Sequence, residues 1–172
     1  MQSNPPIPVF TSLADPQLIA ALQNDAVGVL LCDTVYGIVG RAKSEAAAAR
    51  VIEAKGRKYK PGTLIAANIQ QLIDLGLPAD HLKIGSHFWP GPVSIVIPAG
   101  PELEYIHLGK NSIVVRLPDK PELVALLEAV GPLLTTSANL PDEPMVNTIQ
   151  EAQQLFGRRL NFYVDGGQLS AP

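Results

Sequence analysis

The cationic run at 55–60 is the first part of this sequence whose residue types could do chemistry. Four positive side chains, Lys55, Arg57, Lys58 and Lys60, fall within six residues, directly ahead of the apolar stretch 64–67. Two interpretations stay open. Basic residues at the end of a helix offset the helix dipole, at well under about 1 kcal/mol per charge. Alternatively, the run binds an anionic ligand, because fixed cations in a partly dry cleft stabilise phosphate or carboxylate charge.

Two further polar clusters stand at the ends of apolar segments. Arg116 follows "SIVV" at 112–115, and "TTSAN" at 135–139 follows "PLL". Ligands of open α/β sheets commonly bind where strands end, so both clusters are candidate binding residues. Each also has an alternative that stays open. Arg116 could pair with an acidic residue at a sheet edge, and the Thr/Ser-rich turn could satisfy its own backbone.

Other familiar catalytic and metal-binding patterns are absent from the sequence. It contains no G-x-G-x-x-G or Walker A loop for nucleotide phosphates and no G-x-S-x-G elbow of a covalent hydrolase. His81, His87 and His107 lack the spacing of metal ligands, so we expect structural or surface roles for them. Cys32 lies in an apolar run and is interpreted as a small core residue.

Composition sets limits on the class of protein. The 172 residues are 47% hydrophobic and 17% charged, which predicts one folded domain over 1–172 with a Pro-rich lead-in at 1–12. The net charge of -3 argues against general coating of nucleic acid or an anionic membrane, but it allows one positive cleft. A single cysteine, no long apolar run and no signal-peptide pattern together predict a soluble cytoplasmic protein.

Predicted strands and helices mix along the whole chain. Apolar and β-branched runs predict strands at 26–33, 62–68, 92–100, 111–118, 132–139 and 161–167. Capping signals predict a helix that begins after Asp15 with Pro16, and a second over 45–55 with Ser44 as its cap. A third helix is predicted over 69–76, and a fourth from Asp119 to 130 with Gly131 as its stop. The capping box of Thr148 and Glu151 predicts a fifth, which ends at about 156. This mixture predicts an α/β sheet covered by helices.

Taken in order, several of these segments resemble the YrdC family of threonylcarbamoyl-AMP synthases. The matching stretches are "CDTVYG" at 32–37, "KGR" at 55–57, "LIAAN" at 64–68, "FWPGPVSIVI" at 88–97, "IVVRLPDKP" at 113–121, "LLTTSAN" at 133–139 and, more weakly, "FYVDGG" at 162–167. One such motif is weak, but the ordered set covers most of 15–167. The resemblance implies a twisted mixed sheet flanked by helices, with a central, positively lined cavity.

The resemblance also implies a reaction. L-threonine, bicarbonate and ATP would combine into threonylcarbamoyl-AMP with release of pyrophosphate, and a separate transferase would pass the threonylcarbamoyl group to adenosine 37 of tRNAs that read ANN codons. Mg2+ would arrive with ATP, held mostly by phosphates and waters, and no metal would be bound by the protein itself. All the substrates are anionic, so a cluster of cations fits this chemistry.

Site residues carry over from the resemblance by motif position. Lys55 and Arg57 match a Lys-x-Arg pair and are expected to be catalytic, while Arg116 matches another anion contact. We expect threonine or bicarbonate to contact Thr34, Arg57 and Arg116, and the nucleotide to contact Lys55, Ser94, Arg116, Thr135, Ser137 and Asn139. Lys58 and Lys60 are not carried over, because the segment after the Lys-x-Arg pair is about one residue shorter than usual.

The chain departs from the family pattern at three places. Leu31 and Cys32 replace Pro and Thr, which removes one hydroxyl near the expected threonine pocket. Residues 140–142 replace the usual x-S-G after "SAN". Family members continue after the "DGG" motif into a Ser-Thr-Ile-like segment, and two possibilities stay open: the segment follows Pro172, or the protein lacks it. Two alternatives stay open: a non-catalytic relative that binds a nucleotide or anion, and an RNA-binding module whose positive cavity accepts tRNA.

Overall fold

The computed structural model describes residues 4–56 and 60–170 of the chain. The strands in these residues are β1 (Val9–Phe10), β2 (Gly28–Leu31), β3 (Tyr36–Arg41), β4 (Thr63–Ile65), β5 (Ile95–Pro98), β6 (Ser112–Arg116), β7 (Leu133–Ser137) and β8 (Phe162–Val164). The helices are α1 (Pro16–Gln23), α2 (Glu45–Lys55), α3 (Ile69–Leu75), α4 (Ala79–Gly85), α5 (Glu104–His107), α6 (Pro121–Val130) and α7 (Ile149–Phe156). Short 3-10 turns precede α5 and follow α7.

The strands form one mixed sheet in the order β1-β8-β2-β3-β7-β4-β6-β5. Parallel pairing joins β1 to β8, β2 to β8 and β4 to β6. Antiparallel pairing joins β2 to β3, β3 to β7, β4 to β7 and β5 to β6. The predicted mixed α/β sheet is therefore confirmed.

Helices cover both faces of this sheet, and each face has its own apolar cluster. Val51 of α2 and Leu82 of α4 pack in one cluster with Val29 of β2. Leu22 of α1 packs in the other cluster with Leu30, the next residue of the same strand. Neighbouring strand residues point to opposite faces, so the alternation along β2 divides the core into two layers.

Three helix starts were predicted from capping residues and are confirmed. Asp15 accepts a hydrogen bond from the Gln17 backbone N–H at 2.8 Å, and Ser44 accepts one from Ala47 at 3.1 Å. Thr148 accepts one from the Glu151 N–H at 3.2 Å. The reciprocal half of that capping box differs, because the Glu151 carboxylate accepts from the N–H of Asn147 at 2.7 Å.

The prediction that Asp119 opens α6 is wrong. The helix begins at Pro121, and Lys120 occupies the cap position without a side-chain capping bond. Proline favours the first helical position, and it disfavours helical geometry in the residue before it. The proline therefore sets the start of α6, two residues after Asp119.

Four elements were not predicted. β1 lies inside the Pro-rich lead-in, and its two residues are held by pairing with β8. β3 contains Gly37 and Gly40, which weaken the strand signal in the sequence. The short helices α4 and α5 fall in segments without a clear periodic pattern. The predicted strands are also longer than those observed, as in 92–100 against Ile95–Pro98.

Candidate functional site

Lys55 ends α2 and turns its ammonium group into the protein. Gly56 adopts a left-handed conformation with φ of 72°, which stops the helix immediately after Lys55. The lysine is only 2% exposed, and its Nζ donates to the backbone O of Ser137 at 2.9 Å and to its Oγ at 3.0 Å. Nζ also donates to Oδ1 of Asn139. These acceptors offset the cost of burying the charge.

Ser137 and Asn139 form one network with this ammonium group. Ser137 Oγ donates to Asn139 Oδ1 at 2.7 Å, and Asn139 Nδ2 donates to the backbone O of Glu143 at 2.7 Å. β7 brings Ser137 beside Gly37 of β3, and α2 packs against both strands. The fold thus brings together three of the predicted site residues. The turn is not satisfied by its own backbone alone, because Ser137 and Asn139 also accept from Lys55.

Arg116 lies at the end of β6 and contacts an acidic residue. Its Nη2 is 2.8 Å from Oδ1 of Asp33, and the two side chains are 15% and 12% exposed. The alternative in which Arg116 pairs with an acid is therefore what the structure shows. Neither Arg116 Nε nor Asp33 Oδ1 makes an aligned hydrogen bond to another described residue, although both atoms are buried. The charges are in contact, but the guanidinium keeps unused donors.

Arg116 belongs to a part of the sheet that is incompletely covered. Ile113 and Val115 of β6 are buried in the core, so Val114 and Arg116 alternate to the other face, where both are half-buried. Val96 of the neighbouring edge strand β5 is 63% exposed. The contact between Arg116 and Asp33 crosses this face, because β7 and β4 lie between the β2–β3 hairpin and β6.

Thr135 and Cys32 lie between these two clusters of polar residues. Thr135 is 6% exposed, and its Oγ1 is 3.7 Å from Sγ of Cys32. Cys32 is buried, as predicted for a core residue. Burial raises the pKa of its thiol to about 11, so the thiol is neutral at ordinary pH and is unsuited to nucleophilic attack. The structure gives Thr135 a buried sulfur neighbour and does not join it to the Lys55 network.

The remaining predicted hydroxyls are exposed. Thr34 stands at the tip of the turn that joins β2 to β3, and Ser94 directly precedes β5. Ile95 pairs with Val115, so Ser94 is at the same end of the sheet as Arg116. Neither hydroxyl bonds to another residue in the part of the chain that the structure describes. Arg57 lies outside the described residues, as does Lys58.

The three histidines have the structural or surface roles that were predicted. His81 and His87 are exposed. His107 is buried; its Nδ1 accepts from the backbone N–H groups of Gly109 and Asn111, and its Nε2 is 3.0 Å from the Gly100 backbone O. No cluster of His, Cys, Asp or Glu side chains among residues 4–56 and 60–170 could hold a metal ion. In the same residues no helix is long and apolar enough to cross a membrane.

Sequence reasoning missed two residues near the site. Asp33 belongs to the motif "CDTVYG", but the sequence did not reveal that it lies beside Arg116. Tyr36 follows in the same motif: its hydroxyl donates to the Gly167 backbone O at 2.6 Å and accepts from the Gly166 N–H at 3.0 Å. Burial raises the pKa of Tyr36, which keeps the donating proton in place. Tyr36 thereby anchors the segment after β8 to β3.

Cavities flank α6 on two sides in the described residues, and neither of the two is lined by the predicted site residues. One, of about 790 Å³, lies between 11–14, α1, α6 and the ends of β2 and β8, and its charged lining residues are Lys120, Glu122 and Asp165. The other, of about 620 Å³, has Asp119 and Glu128 as its charged residues. Neither cavity is the positively lined one that the resemblance implies.

The sequence matches known proteins over most of its length. A family model described as "Telomere recombination" (Sua5, YciO and YrdC) matches residues 20–172. A threonylcarbamoyl-AMP synthase of Bacillus subtilis is 32% identical over 165 residues, which are 91% of this chain and 48% of that protein. One of Klebsiella pneumoniae is 36% identical over 146 residues, which are 81% of this chain and 77% of that protein. The chain therefore spans about half the length of the Bacillus relative.

Solved structures show the same fold. P. abyssi Sua5 in complex with L-threonine matches with a TM-score of 0.79 at 26% identity, over 94% of this chain and 50% of that one. Escherichia coli YciO matches with a TM-score of 0.77 at 20% identity, over 94% of this chain and 85% of that one. At that identity the second likeness shows the fold alone. The mixed sheet flanked by helices that the resemblance implies is therefore confirmed.

Proposed function

The chain belongs to the Sua5/YciO/YrdC family, and on that premise we propose that it makes threonylcarbamoyl-AMP from L-threonine, bicarbonate and ATP. Relatives that carry the name threonylcarbamoyl-AMP synthase support this activity. The P. abyssi protein, solved with L-threonine, supports the amino acid as a substrate. The proposal treats residues 1–172 as one catalytic domain.

The observation that carries the proposal is the buried ammonium group of Lys55 in its network with Ser137 and Asn139. The three residues come from the end of a helix and the end of a strand, and they place a fixed positive charge beside exchangeable hydrogen-bonding groups. A network of this kind can accept a phosphate by exchanging an internal bond for one to the ligand. We assign the ATP phosphates to Lys55, Ser137 and Asn139.

The reaction needs positive charge more than a protein nucleophile. The threonine amine attacks bicarbonate, water leaves, and a carbamate forms. A carbamate oxygen then attacks the α-phosphorus of ATP, and pyrophosphate departs. Fixed cations offset the repulsion among carboxylate, carbamate and triphosphate and stabilise the charge that develops at phosphorus. In this scheme Arg57 and Arg116 hold carboxylate and carbamate charge.

The remaining predicted contacts are secondary in this scheme. Thr34 at the tip of the β2–β3 turn contacts the amino acid, and Ser94 supplies a hydroxyl to the nucleotide from beside Arg116. Thr135 shapes the same region from its buried place against Cys32. Mg2+ enters with ATP and is held by phosphates and waters. The product passes in the cytoplasm to a separate transferase that modifies adenosine 37 of tRNA.

The test is release of pyrophosphate by the purified chain from ATP and Mg2+. L-threonine and bicarbonate are each omitted in turn, and serine replaces threonine in a further arm. We expect release that requires both compounds and falls with serine. Release that is independent of threonine contradicts the proposal. Binding of ATP without any release favours the non-catalytic alternative, and salt-sensitive binding of tRNA without adenylate synthesis favours the RNA-binding one.

A further inference from the structure

Asp33 lies in a turn that a backbone hydrogen bond closes. The N–H of Cys32 donates to the backbone O of Val35 at 3.0 Å, which closes the turn between β2 and β3 around Asp33. Cys32 on one side of the turn is 2% exposed, and Tyr36 on the other side is fully buried. The carboxylate of Asp33 is therefore carried by a turn whose flanking residues Cys32 and Tyr36 are buried in the core.

This carboxylate faces a cation from a distant strand. Arg116 Nη2 lies 2.8 Å from Asp33 Oδ1, in surroundings where each side chain is at most 15% exposed. Water screens such a pair poorly, so the carboxylate strongly influences where the guanidinium rests. The neighbouring Cys32 thiol is neutral, because burial raises its pKa to about 11, and it adds no competing negative charge.

The pair leaves hydrogen-bonding capacity unused. A guanidinium has five N–H donors in a planar fork that suits a carboxylate. Arg116 Nε is buried and has no hydrogen-bond partner among the described residues, and the contact with Asp33 is not an aligned hydrogen bond. Asp33 therefore restrains the guanidinium without occupying its whole fork. A small rotation would let the same group bind a second carboxylate.

We propose that Asp33 is a positioning residue that holds the guanidinium of Arg116 over the open part of the sheet, where it receives the carboxylate of the amino-acid substrate. The inference rests on the proposed function, because it takes threonine as that substrate. Asp33 itself does not touch the reacting atoms. Its loss leaves the positive charge of Arg116 in place but removes the restraint on its orientation.

The experiment is a double-mutant cycle on the purified chain. The proteins are wild type, Asp33→Asn, Arg116→Met and the double variant, with Asp33→Glu as the conservative change. Asp25→Asn is the matched control. Asp25 Oδ1 lies 3.6 Å from Nη1 of Arg41, and this pair is away from the site. For each protein we measure kcat, the KM values of threonine and ATP, and the dissociation constant of L-threonine by calorimetry.

The expected result separates threonine from ATP. Asp33→Asn raises the threonine KM and dissociation constant by about tenfold. The cause is loss of the charge-assisted contact that orients the guanidinium of Arg116. The ATP KM changes by less than about twofold, and kcat changes less than the threonine KM. Asp33→Glu recovers part of the affinity, and Asp25→Asn matches wild type. In the Arg116→Met background, the added Asp33→Asn has less than about a twofold effect.

Other results overturn the inference. They are additive effects of the two substitutions, an Asp33→Asn protein that behaves like Asp25→Asn, or threonine and ATP KM values that rise together. The outcome is distinguishable from failure of the proposed function. If wild type binds threonine but releases no pyrophosphate, the proposed function fails while the cycle on threonine affinity still decides the role of Asp33. If wild type is active and the cycle is additive, only the positioning role fails.

Discussion

The two ends of the β2–β3 hairpin each carry an arginine–aspartate pair, and the two pairs differ in separation and in exposure. At the open end, Arg41 Nη1 lies 3.6 Å from Asp25 Oδ1, and the side chains are 28% and 45% exposed. The same Nη1 donates to the backbone O of Gln23 at 2.6 Å. At the turn end, Asp33 is 2.8 Å from Arg116, and both side chains are nearly buried.

Each pair leaves one buried aspartate oxygen without a hydrogen bond to a described residue, Asp25 Oδ1 at the open end and Asp33 Oδ1 at the turn end, so the difference between the pairs lies in their arginines. Arg41 joins neighbouring segments of chain in partial contact with water, where an ion pair contributes little to stability. Arg116 reaches across the sheet to Asp33 and keeps a buried Nε without a hydrogen bond to any described residue. Buried groups that remain unsatisfied call for an explanation, and a ligand supplies one. The turn end also lies beside the Lys55 network, since Ser137 pairs with Gly37.

The largest expected effect comes from the lysine at the turn end. Lys55→Ala should lower kcat for pyrophosphate release by at least about 100-fold, because a transition-state charge contact is lost. Lys83→Ala is the matched control, since Lys83 is a largely exposed lysine with one ion pair, to Asp80. Circular dichroism verifies that both variants fold. Near-normal turnover in a folded Lys55→Ala protein would remove this network from the active site.

Arg57→Ala should have an effect of the same size. Arg57 belongs to the same Lys-x-Arg motif, and its predicted role is to hold substrate charge. We expect at least about a 100-fold loss of kcat, measured in the pyrophosphate assay. Arg50→Ala serves as the control, because Arg50 bonds to Asn161 on the surface at 2.8 Å. Equal activity of these two variants would show that the arginine of the motif is dispensable.

An intermediate effect is expected when the arginines at the two ends of the hairpin, Arg116 and Arg41, are compared. Arg116→Met should lower kcat/KM for threonine by about 30-fold, the loss of a charge-assisted contact to a carboxylate. Arg41→Met should change kcat/KM by less than about twofold and the free energy of unfolding by less than about 1 kcal/mol. Steady-state kinetics and urea unfolding measure both quantities. Equal losses of kcat/KM at the two positions would show that the two arginines do not differ in function.

The smallest expected effect is a loss of folding stability at alkaline pH, caused by the burial of Cys32 at the turn end of the hairpin. The pKa of Cys32 rises from 9.0 to about 11 on folding because of burial. Between these values the unfolded chain releases a proton that the folded chain retains, so stability falls as pH rises. Relative to Cys32→Ala, wild type should lose about 1 kcal/mol per pH unit over this window. Urea unfolding at several pH values tests this, and parallel curves for the two proteins would contradict it.

The local elements were the most predictable part of the fold. Asp15, Ser44 and Thr148 cap their helices because side-chain acceptors satisfy the first free N–H groups, which is a local effect that sequence reveals. β3 could not be predicted in this way. Its Gly37 is needed because a Cβ there would stand 2.5 Å from Thr135 Oγ1, a contact between distant segments.

The candidate site was predictable in residue type but not in arrangement. Lys55 and Ser137 are 82 residues apart, and pairing of β3 with β7 together with packing of α2 brings them into contact. Sequence motifs identified both residues, but not the hydrogen bonds between them. Asp33 was overlooked because an acidic residue beside a turn is usually solvated, and its partner Arg116 lies on a strand separated by two others.

The role of the Lys55 network is tested by comparing wild type with Lys55→Ala for pyrophosphate release, with and without L-threonine and bicarbonate. We expect that wild type releases pyrophosphate only when both compounds are present, and that Lys55→Ala releases at most about one-hundredth as much. Release by wild type without threonine, or equal release by the two proteins, would contradict the claim that this chain makes threonylcarbamoyl-AMP at the Lys55 network.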